Sequence, residues 1–565
     1  MNENGMVTVG SYLASRLVEV GIKHYFSVPG DYNLTLLDEL LKNPDLTMIS
    51  CCNELNGGYA ADGYARANYI AAQVVTFSVG GLSALNATAG SYAEDMPVIV
   101  ISGGPNTNSE IENQVLHHTP GRVSYGYQRE IFSQTTSTAV IIKHLEDAPY
   151  LIDETISTCV NERKPVYIEI PCNLAGRRIS APNKRNFLNR VKSDPNALKG
   201  AVKAAADFLN SAAKPLAVTG EELRACRAER SFEALLKASN YAFASMPGAK
   251  GYVSEEHPNY IGTYWGPVSS PGANEIVESA NAYLFAGPRF TDYTTCGFTG
   301  LINPEKLIHA GRDFVRLPDV TYNKVMIDEF LEALAKEVKP NDSSLKAYKR
   351  IKTEFAPERP VKADEPITTR RLFFQIQDIL DSDTTVLAET GDSWFNCMKL
   401  ELPEGAKFEI QMQYGSIGWS VGATLGYALG YGKNRRILSF IGDGSFQLTG
   451  QELSTMIKYE MTTIIFLLNN GGYTIEVEIH DGPYNNIKNW DYAGLMKVFN
   501  AGEGNGWSRR VRTEGELKEA IQIAFSNKRG PSLIEVMLER DDCSKELLEW
   551  GSRVAANNGR PPRVS

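Results

Sequence analysis

The sequence predicts an α/β protein made of three doubly wound parallel-sheet domains. The length of 565 residues favours about three or four domains rather than a single core. Short apolar, β-branched runs alternate with helical segments, which is the pattern of parallel sheets covered by helices on both faces. One strand-helix-strand unit, from Arg436 to Ile479, carries glycine-rich polar motifs after both of its strands. We expect domains at residues 1–188, 189–357 and 358–565.

The composition is that of an ordinary globular protein. Hydrophobic residues make up 43% and charged residues 22% of the sequence. No apolar run is long enough to span a membrane, and the N-terminus lacks the charge and hydropathy pattern of a signal peptide. A net charge of −10 without a basic block argues against nucleic acid or an anionic membrane as a partner.

The cysteines indicate a reducing environment. There are eight of them, scattered along the chain without a CxxC motif. Neither a disulfide framework nor a zinc site is indicated by this spacing. We therefore expect a cytoplasmic location.

Strands and helices alternate regularly in the first region, and a second α/β region follows it. In the first region, predicted helices cover Val9–Val20, Leu34–Leu41, Glu54–Arg66 and Ala84–Glu94, and predicted strands cover His24–Ser27, Thr47–Ser50, Gln73–Thr76, Val98–Ser102 and Val166–Glu169. The middle region has strand candidates in KPLAVTG, NYAFASM and ANAYLFAG but no GxGxxG fingerprint for a dinucleotide. The Pro- and charge-rich stretch from Glu354 to Thr368 is typical of a linker. The first and third regions are candidates for two copies of one α/β plan.

The third region contains the stretch RILSFIGDGSFQLTGQELSTMIKYEMTTIIFLLNNGGYTIEVEI. Arg436–Ile441 and Thr463–Leu468 are predicted to be buried parallel strands joined by a helix over Gln451–Tyr459. We expect a capping box, formed by Thr449 and Glu452, at the start of that helix.

Polar motifs follow both strands of this unit. In a right-handed βαβ unit the strand ends lie at one edge of the sheet, so Gly442-Asp443-Gly444 and Asn469-Asn470-Gly471-Gly472 are predicted to face one crevice. The Asp443 carboxylate and the Asn470 amide oxygen are hard donors suited to Mg²⁺, and glycines let the backbone approach a diphosphate. Asp-Gly and Asn-Gly are each common turn signals. Their joint position after two buried strands favours a metal and diphosphate site.

These motifs carry a specific resemblance. GDG followed at this spacing by NN resembles the signature of thiamine diphosphate enzymes, and GDGSFQLT…LLNNGGYTIEVEIHDGPYNNIKNWDYAGL resembles pyruvate decarboxylases of the bacterial and plant type. The resemblance extends from GDYNLTLLDEL to EWGSRVAANN. It implies a pyrimidine-binding domain, a middle scaffold domain and a diphosphate-binding domain, with thiamine diphosphate and Mg²⁺ as cofactors. The implied Mg²⁺ ligands are Asp443, Asn470 and the backbone carbonyl of Gly472.

The resemblance also implies how the organic cofactor is held. Glu54 matches the glutamate that hydrogen-bonds the cofactor pyrimidine in the family. The Gly415 carbonyl matches the partner of the 4′-nitrogen, and Ile417 matches the aliphatic residue that folds the two rings toward each other. The other positions implied to contact the cofactor are Thr390, Gly444, Ser445, Tyr473, Thr474 and Ile475.

A catalytic set is implied by four further positions. They match the family's aspartate, histidine pair and glutamate, and they are Asp31, His117, His118 and Glu476. Taken singly, a turn aspartate, a loop histidine pair and a helical carboxylate have ordinary structural explanations. Together they imply non-oxidative decarboxylation of pyruvate to acetaldehyde and carbon dioxide through the thiamine diphosphate ylide, as in alcoholic fermentation. They argue against a carboligase of the acetohydroxyacid synthase type.

The implied substrate pocket is small. The family positions that line it correspond to Tyr293, Trp394, Ile475, Ile479 and Trp550. Bulk at these positions leaves room for little beyond a methyl group, which favours pyruvate. Two alternatives stay open: a decarboxylase of larger or aromatic 2-oxo acids such as phenylpyruvate or indolepyruvate, and a structural or filament-forming protein that kept the fold without the activity.

The resemblance implies self-association as well. In the family, the residues matching Glu54 and Asp443 meet across a dimer interface, commonly within a dimer of dimers. The expected partners are therefore a small 2-oxo acid substrate and further copies of the same chain.

Overall fold

The computed structural model describes residues 5–352, 358–432 and 435–560. Within these ranges the chain forms three large sheets, two of six strands and one of seven, each flanked by helices. In the described part of the chain, no helix is both long and apolar enough to cross a membrane.

The first sheet is built from the N-terminal region. Its elements are β1 (Met6–Thr8), α1 (Val9–Glu19), β2 (His24–Ser27), α2 (Leu34–Leu41), β3 (Thr47–Ser50), α3 (Glu54–Asn68), β4 (Ala71–Val75), α4 (Val79–Ala93), β5 (Val98–Gly104), α5 (Thr107–Ile111), α6 (Tyr127–Phe132), β6 (Ala139–Ile141), α7 (Ala148–Glu162), β7 (Val166–Pro171) and β8 (Arg178–Ser180). Six parallel strands lie in the order β3-β2-β4-β5-β7-β6, and β1 pairs with β8 in a separate antiparallel ribbon. Helix α4 begins five residues before the predicted start.

The middle sheet contains the three predicted strands and four more. Its region consists of α8 (Pro195–Ser211), β9 (Pro215–Thr219), α9 (Glu222–Cys226), α10 (Glu229–Ser239), β10 (Ala242–Ser245), β11 (Tyr260–Thr263), α11 (Ala273–Glu278), β12 (Ala282–Ala286), β13 (Leu307–Ala310), β14 (Phe314–Leu317), β15 (Val320–Asn323), α12 (Ile327–Leu334) and α13 (Ser343–Ile351). The strand order is β11-β10-β9-β12-β13-β14-β15. The parallel sheet is extended by β14 and β15, which run antiparallel to their neighbours.

The third sheet contains the glycine-rich motifs. Its region consists of α14 (Thr369–Gln377), β16 (Thr384–Ala388), α15 (Asp392–Met398), β17 (Lys407–Ile410), α16 (Trp419–Tyr431), β18 (Arg436–Gly442), α17 (Asp443–Thr449), α18 (Glu452–Lys458), β19 (Ile464–Asn469), α19 (Thr474–Ile479), α20 (Tyr492–Asn500), β20 (Trp507–Val511), α21 (Glu514–Ser526), β21 (Ser532–Met537) and α22 (Lys545–Asn558). All six strands are parallel, in the order β17-β16-β18-β19-β21-β20.

The first and third sheets share one topology. Numbered along the chain from β2 and from β16, the strands of both sheets lie in the order 2-1-3-4-6-5. In this numbering α3 and α16 are equivalent, because each follows the second strand of its sheet. The structure therefore contains two copies of one parallel plan, as the sequence suggested.

The expected capping box is wrong. Thr449 is the last residue of α17, a short helix that the sequence did not predict, and its Oγ1 donates to the Gly418 carbonyl at 2.6 Å. Helix α18 begins after Gln451, which makes no side-chain capping hydrogen bond. The Thr449 hydroxyl is used for a contact to a distant loop instead of a local cap.

The proposed linker is partly attached to the third region. Residues 353–357 lie outside the described ranges. In the part that follows them, Arg359 bonds the buried Glu514 carboxylate, Glu514 N donates to Glu365 O at 2.9 Å, and Ile367 is buried. These contacts fix the end of the linker against the start of α21.

The first and third regions meet through α3 and α16, which lie side by side in the same direction. A Cβ at Gly422 would lie 2.8 Å from Asn56 O, and a Cβ at Gly426 would collide with Ala60 O. Glycine on α16 therefore permits a backbone approach that any larger residue would prevent. Near the starts of the helices, Tyr59 Oη and Ser416 Oγ are 2.5 Å apart. This packing places the N-terminus of α3, with Glu54, beside the loop that precedes α16.

Candidate active site

Asp443 is a buried carboxylate that forms no ion pair with any residue in the described ranges. It is 1% exposed and is the first residue of α17, directly after β18. Its Oδ1 accepts from Gly444 N at 2.7 Å and its Oδ2 from Gly471 N at 2.6 Å. Burial raises its pKa to about 6, against the effect of these hydrogen bonds. Because a buried anion is costly unless it is paired, the site fits a hard cation such as Mg²⁺.

The second glycine-rich motif lies against this carboxylate. Asn470 Nδ2 donates to Thr474 Oγ1 at 2.5 Å, so its Oδ1 is the group left to bind a ligand. Gly472 pairs with Asn486, which holds its backbone beside the same loop. The ring of Tyr473 covers Gly444 so closely that a Cβ at residue 444 would collide with it. The structure therefore brings together the three predicted metal ligands, with backbone N–H groups on Asp443 and the side chains of Tyr473 and Thr474 beside them.

Glu389 is a residue of this site that sequence reasoning missed. It follows β16 and is fully buried. Its Oε2 accepts from Gly418 N at 3.0 Å, Ser420 N at 3.1 Å and Ser420 Oγ at 2.6 Å, while its Oε1 accepts from Thr390 N at 2.8 Å. Burial raises its pKa and these hydrogen bonds lower it. A carboxylate directly after a buried strand was the available signal.

Gly418 is the point at which these segments join. Its N–H is held by Glu389 and its carbonyl by Thr449, at the end of the helix that Asp443 begins. Its φ of +86° and a Cβ position 3.0 Å from Leu448 Cβ explain why glycine occurs here. The loop with Gly415 and Ile417 is thereby fixed to the Thr390 segment and to α17.

The predicted pocket residues form an aromatic cluster beside Gly415. The Tyr293 ring centroid lies 4.9 Å from that of Trp550 and 5.9 Å from that of Trp394. A Cβ at Gly415 would lie 3.4 Å from Tyr293 and 3.7 Å from Trp394. The indole N–H of Trp394 is buried and has no hydrogen-bond partner among the described residues.

Helix α19 connects the metal loop, the name used here for residues 442–444 and 469–472 together, to this cluster. It begins two residues after Gly472, and both Ile475 and Ile479 pack against the core that contains Trp394 and Trp550. Glu476 lies on the same helix and is exposed. Burial, followed by the charges of Asp292 and Glu476, raises the pKa of Tyr293.

Asp31, His117 and His118 form a second polar group at the carboxyl edge of the first sheet. Asp31 Oδ2 lies 2.6 Å from His117 Nε2, and Asp31 Oδ1 lies 3.7 Å from His118 Nε2. All three side chains are substantially exposed. Among the described residues, no hydrogen bond or ion pair connects this group to Asp443 or to the aromatic cluster.

Glu54 lies at the same edge of the first sheet, as the first residue of α3. Its carbonyl accepts from Gln73 Nε2 at 2.6 Å, and its Oε1 lies 2.9 Å from the position that a Cβ at Gly80 would occupy. Gly80 belongs to α4, whose Asn86 Oδ1 accepts from Tyr414 Oη at 2.9 Å. Helix α4 therefore extends from Glu54 to the loop that contains Gly415 and Ile417.

Comparison with known proteins gives one consistent family. Three sequence families match the chain: the N-terminal thiamine pyrophosphate (TPP) binding domain of thiamine pyrophosphate enzymes over residues 7–125, their central domain over 202–334 and their C-terminal TPP binding domain over 383–536. Pyruvate decarboxylase 3 of Arabidopsis thaliana is 53% identical, covering 98% of this chain and 94% of its own. The chain belongs to the pyruvate decarboxylase family of thiamine pyrophosphate enzymes.

Other members of the pyruvate decarboxylase family are similar over the same length. Pyruvate decarboxylase 2 of Oryza sativa subsp. japonica is 52% identical over 99% of this chain and 93% of its own. Pyruvate decarboxylase 1 of Zea mays is 52% identical over 98% and 92%. The family likeness thus covers the residues of all three sheets.

Substitution of Asp443 should abolish cofactor retention. Asp443→Ala removes the carboxylate ligand of the Mg²⁺ site, and without the bound ion the charge of the diphosphate is no longer compensated there. Gel filtration followed by quantification of bound thiamine diphosphate measures the effect. Asp381→Ala is the control. Asp381 lies before β16, at the opposite edge of the sheet from Asp443, and this variant should retain cofactor. Stoichiometric cofactor in the Asp443 variant would contradict the assignment.

Substitution of Glu389 should weaken the hydrogen bonds that hold Gly418, which are called the Gly418 node here. Glu389→Gln places an amide N–H₂ among groups that are all donors, so at least one buried donor loses its acceptor, at a cost of about 1–3 kcal/mol of unfolding free energy. Deuterium exchange at C2 of the bound cofactor should slow, because Gly415 and Ile417 depend on this node. Glu169→Gln, at another buried carboxylate, within β7 of the first sheet, should leave the exchange rate unchanged. Equal exchange rates in both variants would show that Glu389 has no positioning role.

Proposed function

We propose that this protein catalyses the non-oxidative decarboxylation of pyruvate to acetaldehyde and carbon dioxide, with thiamine diphosphate and Mg²⁺. The observation that carries the proposal is the position of the buried Asp443 and its asparagine loop next to the aromatic cluster of Tyr293, Trp394 and Trp550, connected through α19. A cation site and a pocket for a small apolar group are the two elements that this reaction requires side by side.

The metal loop would hold the diphosphate end of the cofactor. Mg²⁺ would bind Asp443, the Asn470 amide oxygen and the Gly472 carbonyl. The remaining contacts would come from residues around this loop and the Glu389 node: Thr390, Gly444, Ser445, Tyr473, Thr474 and Ile475. When bound, thiamine diphosphate supplies the carbon nucleophile and takes up the electrons of the broken carbon–carbon bond.

Glu54, Gly415 and Ile417 would orient the aminopyrimidine ring. A carboxyl group at Glu54 would share a proton with the pyrimidine, and the Gly415 carbonyl would accept a hydrogen bond from its amino group. The positive φ of Gly415, +61°, and the packing of its Cα against Tyr293 and Trp394 fix the direction of that carbonyl. Ile417 is half-buried directly before the Gly418 node, so its side chain is held where it would contact the cofactor rings.

Asp31, His117, His118 and Glu476 would handle protons and the substrate carboxylate. The short Asp31–His117 contact orients the imidazole, and the His118 ring lies across it with 4.6 Å between centroids. Glu476 lies on the side of the aromatic cluster, where it would act on the substrate carboxylate.

The aromatic cluster would restrict the substrate to a methyl-sized side chain. An added methylene normally contributes about 0.8 kcal/mol when it is buried. In a pocket bounded by fully buried Trp394 and Trp550, overpacking costs about 1–3 kcal/mol and outweighs that gain. Pyruvate is therefore preferred over longer or aromatic 2-oxo acids.

The activity and its selectivity are tested by one set of assays. The protein should release carbon dioxide from pyruvate only with thiamine diphosphate and Mg²⁺, and more slowly from 2-oxopentanoate and phenylpyruvate. Trp394→Ala should raise the ratio of kcat/KM for 2-oxopentanoate to that for pyruvate by about tenfold or more. Trp490→Ala, at an exposed tryptophan, is the control. A parent protein that prefers phenylpyruvate or indolepyruvate would contradict the pocket argument.

We further propose that the chain self-associates, with active sites shared between copies as in a dimer or dimer of dimers. Exposed apolar side chains lie around the loop that contains Gly415 and Ile417. They are Val79 and Leu82 on α4, Tyr414 directly before Gly415, and Leu448 on α17. Apolar groups concentrated beside a functional loop are typical of an interface. The family resemblance supports this arrangement too.

Sharing of the site predicts complementation. Glu54→Gln and Asp443→Ala should each be inactive, and co-expression with two affinity tags should give mixed dimers in which one site carries neither change. Purified mixed dimers should therefore regain activity. Since α3 packs on α16 of its own chain, verified mixed dimers without activity would mean that each site is formed within one chain.

A cytoplasmic location is also proposed. All eight cysteines are free thiols in the structure, including the buried Cys159, Cys296 and Cys397. Free cysteines in this number are typical of a reducing compartment.

A further inference from the structure

We propose that Asp31, His117 and His118 form a binding site for one transition-metal ion, such as Zn²⁺, that is separate from the Mg²⁺ loop and inhibits the enzyme. One carboxylate oxygen and one nitrogen from each imidazole all lie within 4.8 Å of one another. Ligands of one tetrahedral zinc ion lie about 3.3 Å apart, given bond lengths of about 2.0–2.1 Å. His117 Nε2 lies 2.6 Å from Asp31 Oδ2 and His118 Nε2 lies 3.7 Å from Asp31 Oδ1, so rotation of these exposed side chains would bring one oxygen and two nitrogens to a common ion.

The histidine rings are already oriented for this role. His117 stacks on Tyr32, with 4.9 Å between centroids and 12° between planes, and its Nδ1 lies 3.5 Å from Tyr32 Oη. Tyr32 is buried against Phe77 and Tyr125, so it provides a fixed support that leaves His117 Nε2 facing Asp31. A partner on the second ring nitrogen is what commonly fixes metal-binding histidines.

The backbone brings the adjacent imidazoles to one side. His118 has a φ of +64°, in the left-handed region that a non-glycine residue rarely adopts. Neighbouring side chains in an extended chain point apart, whereas this turn lets both rings approach Asp31. The exposed fractions of 51%, 58% and 35% for Asp31, His117 and His118 leave the ion access from solvent and room for water ligands.

The two sites differ in the ions they select. The loop with Asp443 and Asn470 offers only oxygen donors, which suit Mg²⁺. Two imidazoles and one carboxylate instead suit Zn²⁺, Co²⁺ or Ni²⁺. Each ion should therefore occupy its own site when both are present.

The inhibition rests on the proposed function, whereas the binding does not. An ion bound to Asp31, His117 and His118 would occupy the lone pairs that accept protons. These groups could then neither take up a proton nor pass one on. Turnover should fall without release of thiamine diphosphate, because the Mg²⁺ loop is untouched.

Binding is tested on the full-length protein with saturating Mg²⁺ and cofactor. Titration calorimetry with Zn²⁺ should give one site per chain, and Co²⁺ should give visible d–d bands without thiolate charge-transfer absorption. His117→Ala and the isosteric Asp31→Asn should each weaken binding more than about tenfold, since loss of an outer partner alone commonly costs that much. His144→Ala, at an exposed histidine elsewhere, should leave binding unchanged.

The outcomes separate the two claims. No Zn²⁺ binding under these conditions, or equal binding by the His117, Asp31 and His144 variants, would overturn the metal site. Thiolate absorption with Co²⁺ would assign the ion to cysteines and overturn it as well. Pyruvate assays then test inhibition: Zn²⁺ binding with full activity would leave the site in place and refute the proton-handling role of this set.

Discussion

The candidate site depends on the way one buried anion, Glu389, is satisfied. A carboxylate removed from water is tolerated only when its oxygens accept hydrogen bonds, and Glu389 accepts four. The donors come from both sides of a gap of about thirty residues in the sequence. Satisfying this charge therefore fixes the end of β16 against the start of α16. The loop with Gly415 and Ile417 lies between, so its conformation follows from the same interaction.

Asp443 shows the opposite solution to the same problem. It is as deeply buried as Glu389, and burial raises its pKa to about 6, but its carboxylate accepts two hydrogen bonds, both from backbone N–H groups, instead of four. The four bonds of Glu389 use its oxygens to hold two segments together, whereas the oxygens of Asp443 keep capacity to bind a cation. Gly418 bonds Glu389 through its N–H and Thr449 through its carbonyl, and Thr449 ends the helix that Asp443 begins. The hydrogen bonds of Glu389 and the position of Asp443 are therefore coupled.

The relative placement of the three regions has its own charged junction. Buried Arg66 on α3 bonds Asp62 at 2.7 Å and Glu409 on β17 at 3.3 Å, and Arg224 of the middle region bonds the same Glu409 at 2.7 Å. Breaking such a pair would leave a buried charge uncompensated, so the junction specifies one arrangement of the regions. Together with the glycine contacts of α16, it keeps the starts of α3 and α16 side by side.

The sequence by itself determined the features that depend on local pattern. Strands β2 and β3 and helix α2 were predicted residue for residue, because apolar periodicity and turn residues define such elements locally. The placement of Asp443 and Asn470 at one sheet edge followed from strand spacing alone. The family resemblance added the assignments of Glu54, Asp31 and the histidine pair, whose roles stay predictions.

Only the tertiary structure decided the features that depend on distant partners. Thr449 was expected to cap α18, but it bonds Gly418, and neither α17 nor the antiparallel β14–β15 extension has a distinctive periodicity. Glu389 gave no signal beyond its position after a strand, because its hydrogen-bond donors lie about thirty residues away. Likewise, the alignment of both histidines on Asp31 depends on the stack with Tyr32 and on the left-handed backbone of His118. Such contacts arise only when the folded chain brings the segments together.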